Sequence, residues 1–73
     1  MKKENFTIWE ITKRIRSYEK VTRTMLSDAG VNIDKSIENP EEQISRDQVL
    51  VLIGYITGTP GARELKRMLR GKD

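Results

Sequence analysis

Between Thr7 and Gly30 the apolar side chains recur at alternating steps of three and four residues. In an α-helix this spacing places them along one stripe. The residues on that stripe are Ile8, Ile11, Ile15, Tyr18, Thr22, Met25 and Ala29. The pattern predicts one long amphipathic helix over residues 8–29, about 33 Å in length at the usual rise per residue.

Two capping boxes mark helix starts. Thr7 stands three residues before Glu10, and Ser45 stands three residues before Gln48. In such a pair the hydroxyl accepts the backbone N–H of the longer residue, and the side chain of the longer residue accepts the backbone N–H of the capping residue. The apolar residues just before the two caps, placed to pack on the first turn of each helix, are Phe6 and Ile44.

The second box predicts a helix over residues 46–57, and Thr59 followed by Pro60 predicts a third helix over residues 60–70. The glycines placed to end the three helices are Gly30, Gly58 and Gly71. A β-strand is the alternative for residues 49–56, which are rich in β-branched and aromatic side chains. We favour the helix because its cap is in register and no partner strand is visible.

These elements predict a single all-α domain over residues 1–73, a small bundle of one long helix and two shorter ones. A chain of 73 residues buries only about 60% of its unfolded surface, so a monomer would be marginally stable. The helix over 46–57 is apolar on nearly all sides, which suggests that its second face is covered by another subunit. We therefore predict a homodimer, with an interface formed by Leu50, Val51, Gly54 and Tyr55.

The composition argues against several functions. The chain has no cysteine and no histidine, and no spacing of carboxylates resembles a catalytic or metal site. We therefore expect no enzyme activity, no metal and no cofactor. The longest apolar run is far shorter than the roughly 20 residues that span a bilayer, and the amino-terminal residues do not resemble a secretory signal. The expectation is a cytoplasmic protein without a membrane partner.

The net charge is +3, and it is distributed as a basic, an acidic and a basic segment. The acidic segment, residues 31–48, is predicted to be mainly a loop. Cations share an outer face on the first and last predicted helices. They are Lys13, Arg16, Lys20 and Arg23 on the first, and Arg63, Lys66, Arg67 and Arg70 on the last. An ordinary solvated surface is the alternative, although like charges four residues apart are unfavourable in an isolated helix.

The helices over 46–57 and 60–70 also have the outline of a helix-turn-helix, although the apolar residues after the turn come one position late. The first hypothesis is a small regulatory protein that binds nucleic acid, most naturally duplex DNA, as a dimer through its basic helix faces. The second is a helical protein interaction module, such as an inhibitor or adaptor of a larger protein. A structural oligomer is the third.

Overall fold

A computed structural model describes residues 3–71 as a mostly helical fold with a small two-stranded sheet. The elements in chain order are β1 (Asn5–Thr7), α1 (Ile8–Ile15), α2 (Glu19–Asp28), β2 (Gln43–Ser45), α3 (Arg46–Tyr55) and α4 (Pro60–Leu69). The predicted helical character is confirmed. The predictions of a purely helical chain and of one long first helix are wrong.

The sheet forms from the residues just before the two capping boxes. The strands β1 and β2 are antiparallel, and Phe6 lies opposite Ile44, with both side chains buried. The ladder continues into the helices, because the Ile8 N–H donates to the Glu42 carbonyl at 3.0 Å and the Arg46 N–H donates to the Glu4 carbonyl at 2.7 Å. The first amide of each helix, which has no partner within the helix, is thereby satisfied.

The predicted helix over residues 8–29 is interrupted at Arg16, which adopts the left-handed conformation with φ 54° and ψ 53°. The Ser17 N–H donates to the Thr12 carbonyl, and the chain then turns to begin α2 after Tyr18. An unbroken helix of about 33 Å would exceed the longest dimension of the molecule, 31 Å. The break lets α1 and α2 pack against one small core, and it leaves Tyr18 79% exposed instead of on the buried stripe.

The helix ends that depend on local signals are confirmed. The Val31 N–H donates to the Leu26 carbonyl at the end of α2. Positive φ angles follow α2, α3 and α4 at Gly30, Gly58 and Gly71. The helical interpretation of residues 49–56 is also confirmed through Tyr55, although α3 ends two residues before the predicted position 57.

One hydrophobic core joins the elements. The buried apolar residues come from every helix and from both strands: Phe6, Ile8, Ile11, Leu26, Val31, Ile44, Val49, Leu52, Ile53, Ala62, Leu65, Met68 and Leu69. The helix α4 packs against both α1 and α3, whereas α2 packs mainly against α1. This arrangement leaves the outer faces of α2, α3 and α4 as the main helical surfaces.

Candidate nucleic-acid interface

The helices α1 and α2 are joined by a three-residue turn, residues 16–18. The buried hydroxyls of Thr12 and Thr22 lie 2.7 Å apart and link the two helices. The Thr22 hydroxyl also donates to the Tyr18 carbonyl at 3.2 Å, so the same side chain holds the start of α2. These contacts fix the direction in which α2 leaves the turn.

The exposed surface near the start of α2 is mixed in chemistry. Tyr18, Lys20 and Val21 are exposed, and Thr24 is half-buried. The buried face of α2 consists of Thr22, Arg23 and Leu26. An aromatic, a cationic and a hydroxyl side chain on the outer face of a second helix are suited to contacts with phosphates and base edges.

Arg23 does not belong to this exposed surface, contrary to its place in the predicted basic stripe. Its side chain is fully buried, and its guanidinium contacts Glu19, Glu42 and two backbone carbonyls. In an unbroken helix over residues 8–29, Arg23 would share the exposed face of Lys13, Arg16 and Lys20. Because the chain turns at Arg16, position 23 faces the loop of residues 31–42 instead of solvent.

The ion pairs around Arg23 favour the charged forms of the groups involved. Its hydrogen bond to Glu19, together with the Asn39 N–H, lowers the pKa of the Glu19 carboxyl. Burial acts to lower the pKa of Arg23, but the hydrogen bonds to Glu19 and Glu42 outweigh it and the pKa is raised. The ion pairs therefore favour the charged guanidinium despite its burial.

The other predicted cations of the first stripe are exposed. Lys13 lies over the Trp9 ring, with Nζ 5.8 Å from the ring centre, and Arg16 occupies the turn itself. Lys20 borders a shallow depression that Lys35 also lines. Lys35 belongs to the predicted acidic segment and was not among the predicted site residues, because only the folding of the loop beside α2 places it next to Lys20.

The predicted cations of the last helix are all exposed: Arg63, Lys66 and Arg67 on α4, and Arg70 at its carboxyl-terminal cap. Three of them, Arg63, Lys66 and Arg70, line an open depression of about 390 Å³ together with the first residues of the helix. Arg67 lies 3.6 Å from Glu64, a weak surface ion pair that leaves its charge available to a stronger anion.

The start of α4 lies against the end of α1. A methyl group built on Gly61 would come within 3.2 Å of the Ile15 side chain, so the backbone of α4 lies close to that side chain. Arg16 follows Ile15 directly, and Arg63 lies two residues beyond Gly61. The start of α4 therefore packs against the end of α1, the two helices that carry most of the predicted cations.

The predicted dimer residues lie on the outer face of α3. Leu50, Val51 and Tyr55 are each about half exposed, and Gly54 between them faces open space. The opposite face, formed by Val49, Leu52 and Ile53, is buried in the core. The helix therefore has a second apolar face that residues 3–71 of the same chain leave uncovered.

Residues 3–71 contain no cluster of acidic side chains that could hold a metal ion. None of the helices in this range has the length and apolar character needed to cross a membrane. Comparisons with known protein families, with curated proteins and with solved structures find no match to this chain.

Proposed function

We propose that the protein is a small regulatory protein that binds duplex DNA, with α2 presented to the major groove. The observation that carries the proposal is the helix-turn-helix arrangement of α1 and α2, in which Tyr18 at the cap of α2 and Lys20 and Val21 in its first turn are exposed. In such motifs the first residues of the second helix contact base edges, and surrounding cations contact phosphates.

The helix-turn-helix is assigned here to α1 and α2, and not to the helices over 46–57 and 60–70 for which the sequence pattern suggested it. The helix α4 is enclosed by α1 on one side and α3 on another, whereas α2 packs mainly against α1. The cations of α4 are then assigned to phosphate contacts beside the groove, together with Lys13 and Arg16. Arg23 takes no part in the DNA contacts because it is fully buried.

The salt dependence of binding to a random-sequence duplex tests the proposal. Each lost phosphate contact lowers the slope of log affinity against log salt by about 0.9. The double variant Arg16→Gln with Lys20→Gln is expected to lower the slope by about 2, and Arg63→Gln with Arg67→Gln to do the same.

Lys3→Gln is the matched control. Lys3 is exposed and pairs with Glu10 at 2.8 Å, outside the proposed surface. Its loss should leave the slope close to that of the wild type. Absence of wild-type binding at low salt would reject the proposal, and equal slopes for all variants would reject the assigned surface.

We propose further that the outer face of α3 pairs with a second copy of the chain. Leu50, Val51 and Tyr55 lie outside the proposed DNA surface, and Gly54 allows close approach of another helix. Val51→Glu should shift the mass measured by light scattering at high micromolar concentration from dimer to monomer. Ile37→Glu is the control, since Ile37 is similarly exposed, 42% against 47%, and lies in the loop.

The second candidate function is a protein interaction module, and one observation favours it. An open groove of about 290 Å³ between the starts of α1 and α2 is flanked by Trp9, Tyr18 and Pro40. Exposed aromatic side chains beside a groove are common at peptide-binding sites. This candidate is preferred if the wild-type protein binds no duplex at low salt but retains a partner from lysate that Trp9→Ala fails to retain.

A further inference from the structure

Residues 32–42 form a connection without a strand or an α-helix, and little apolar contact holds its middle. Its ends are anchored by the buried residues Val31 and Ile44. Between them Ile33 is only partly buried and Ile37 is largely exposed. A loop of this kind is expected to sample many conformations unless polar contacts hold it.

Backbone bonds from α1 hold the end of the loop, where the Trp9 N–H donates to the Pro40 carbonyl at 2.9 Å. The Arg23 side chain supplies further contacts along the loop. Arg23 donates from Nη1 to the Asp34 carbonyl at 3.1 Å and from Nη2 to the Asn39 carbonyl at 3.0 Å. Its Nη1 also lies 2.8 Å from Glu42 Oε1. The guanidinium therefore touches the loop at three separated positions.

The same guanidinium is fixed to the first turn of α2. Its Nε donates to Glu19 Oε2 at 2.9 Å, and that oxygen also accepts the Asn39 N–H at 2.7 Å. Glu19 is the first residue of α2, between Tyr18 and Lys20. The planar fork of an arginine can satisfy several acceptors in fixed directions, which a lysine ammonium cannot reproduce.

We infer that Arg23 is a positioning residue that holds the loop of residues 32–42 against the DNA-facing start of α2. The inference rests on the proposed function for its effect on DNA, and on the contacts above for its effect on the loop. Arg23 keeps α2 and the loop as one rigid unit, so the exposed residues of both are presented together. It contacts no phosphate.

This role differs measurably from that of a phosphate contact. Replacing a phosphate-binding cation lowers the salt slope, and a lysine in its place largely restores binding. Replacing a positioning arginine weakens binding without changing the number of phosphates contacted. Arg23→Lys should therefore lower DNA affinity about tenfold, equivalent to about 1.4 kcal/mol, at an unchanged salt slope.

Hydrogen exchange of backbone amides provides a readout independent of DNA. In Arg23→Lys the amides of Asn39 and Glu42, both donors in the wild type, should exchange faster, while amides in α4 such as that of Leu65 keep their protection. Glu42→Gln is the second variant, used if Arg23→Lys does not fold. This variant keeps the ion pair between Arg23 and Glu19. The increase in amide exchange should therefore be smaller than in Arg23→Lys and confined to residues 32–42.

The outcomes separate the two proposals. A salt slope reduced by about 0.9 in Arg23→Gln, with affinity largely restored in Arg23→Lys, would show a phosphate contact and overturn the inference. Faster exchange spread equally over the loop and α4 would also overturn it, because Arg23 would then support only global stability. If the wild type binds no DNA, the proposed function fails, and faster exchange confined to residues 32–42 still supports the role of Arg23 in the loop.

Discussion

The two halves of the chain, residues 5–28 and 43–69, begin alike and finish differently. Each half begins with a three-residue strand, a capping box and a helix, and Phe6 and Ile44 meet at the centre of the sheet. The second helix is α2 in the first half and α4 in the second half, and different interactions hold these two helices in place. The helix α2 buries Thr22 and Arg23 beside Leu26, whereas α4 buries Ala62, Leu65, Met68 and Leu69.

This difference separates two ways of holding a helix. Apolar burial stabilises roughly in proportion to the area removed from water and has little directional preference. Buried polar contacts add less net free energy but require particular geometry, and an unpaired member is costly. The half with polar contacts carries the proposed DNA-facing helix, where orientation matters, and the apolar half supplies most of the core.

The largest expected effect is in the apolar half. Leu65 is fully buried, so Leu65→Ala should lower the free energy of unfolding by about 3 kcal/mol through lost burial and the cavity left behind. In a domain of this size that corresponds to a fall of about 15 °C in melting temperature. Urea denaturation measures the change. A loss below about 1 kcal/mol would show that α4 is not held by its apolar face.

A double-mutant cycle addresses the polar half. Thr22→Val should lower the free energy of unfolding by about 1–3 kcal/mol, because the buried Thr12 hydroxyl loses its partner at 2.7 Å. Adding Thr12→Val should restore much of that loss, since two apolar side chains of the same shape then meet. Simple additivity of the two losses in thermal unfolding would mean that the hydroxyls do not interact.

Removing the capping hydroxyls tests whether the two capping boxes stabilise their helices equally. The Thr7 hydroxyl accepts the Glu10 N–H at 3.1 Å, and the Ser45 hydroxyl accepts the Gln48 N–H at 3.2 Å. Thr7→Ala and Ser45→Ala should each cost about 1 kcal/mol, with additive effects in the double variant. Serine and threonine exchanged at the two positions provide the control, and a cap whose removal leaves the melting temperature unchanged would break the equivalence.

Acid should affect the polar half first, through Glu19. Its pKa is lowered in the folded protein by the hydrogen bonds from Arg23 and the Asn39 N–H, so the unfolded chain binds this proton more readily. The contribution of Glu19 is fully present above the ordinary glutamate pKa, and it is lost as the pH falls through the lowered value.

We expect the melting temperature of the wild type to fall more steeply below about pH 4.5 than that of Glu19→Gln. The effect should be smaller than that of removing a cap, because Glu19 is partly exposed. Identical pH profiles for the two proteins would show that the Arg23 network does not depend on this carboxylate.

The exposure of some residues of the candidate site could be predicted from local sequence, whereas the positions of others could not. Exposure of Lys13, Lys20 and the four cations of α4 agrees with helical periodicity, because each faces away from the apolar stripe of its own helix. Burial of Arg23 and the position of Lys35 beside Lys20 could not be predicted. Both depend on where the chain turns and on how a loop folds back over α2.

One signal in the sequence does indicate the sheet. A polar residue and an apolar residue precede the capping hydroxyl of each box, as Asn5 to Thr7 and again as Gln43 to Ser45. Taken singly, each triplet is explained by a helix cap with its staple. Taken as a repeated pattern, the two triplets indicate two equivalent short strands able to pair around a central apolar residue.

The sequence alone determined the features that depend on neighbours within about four residues: the two capping boxes, the glycines after α2, α3 and α4, and the helical state of α3. Tertiary structure decided the break at Arg16, the pairing of Phe6 with Ile44 and the burial of Arg23. The physical reason is distance along the chain. Caps and periodicity are satisfied within one helix, whereas the turn at Arg16 is favourable only because α1, α2 and the distant loop then share one core.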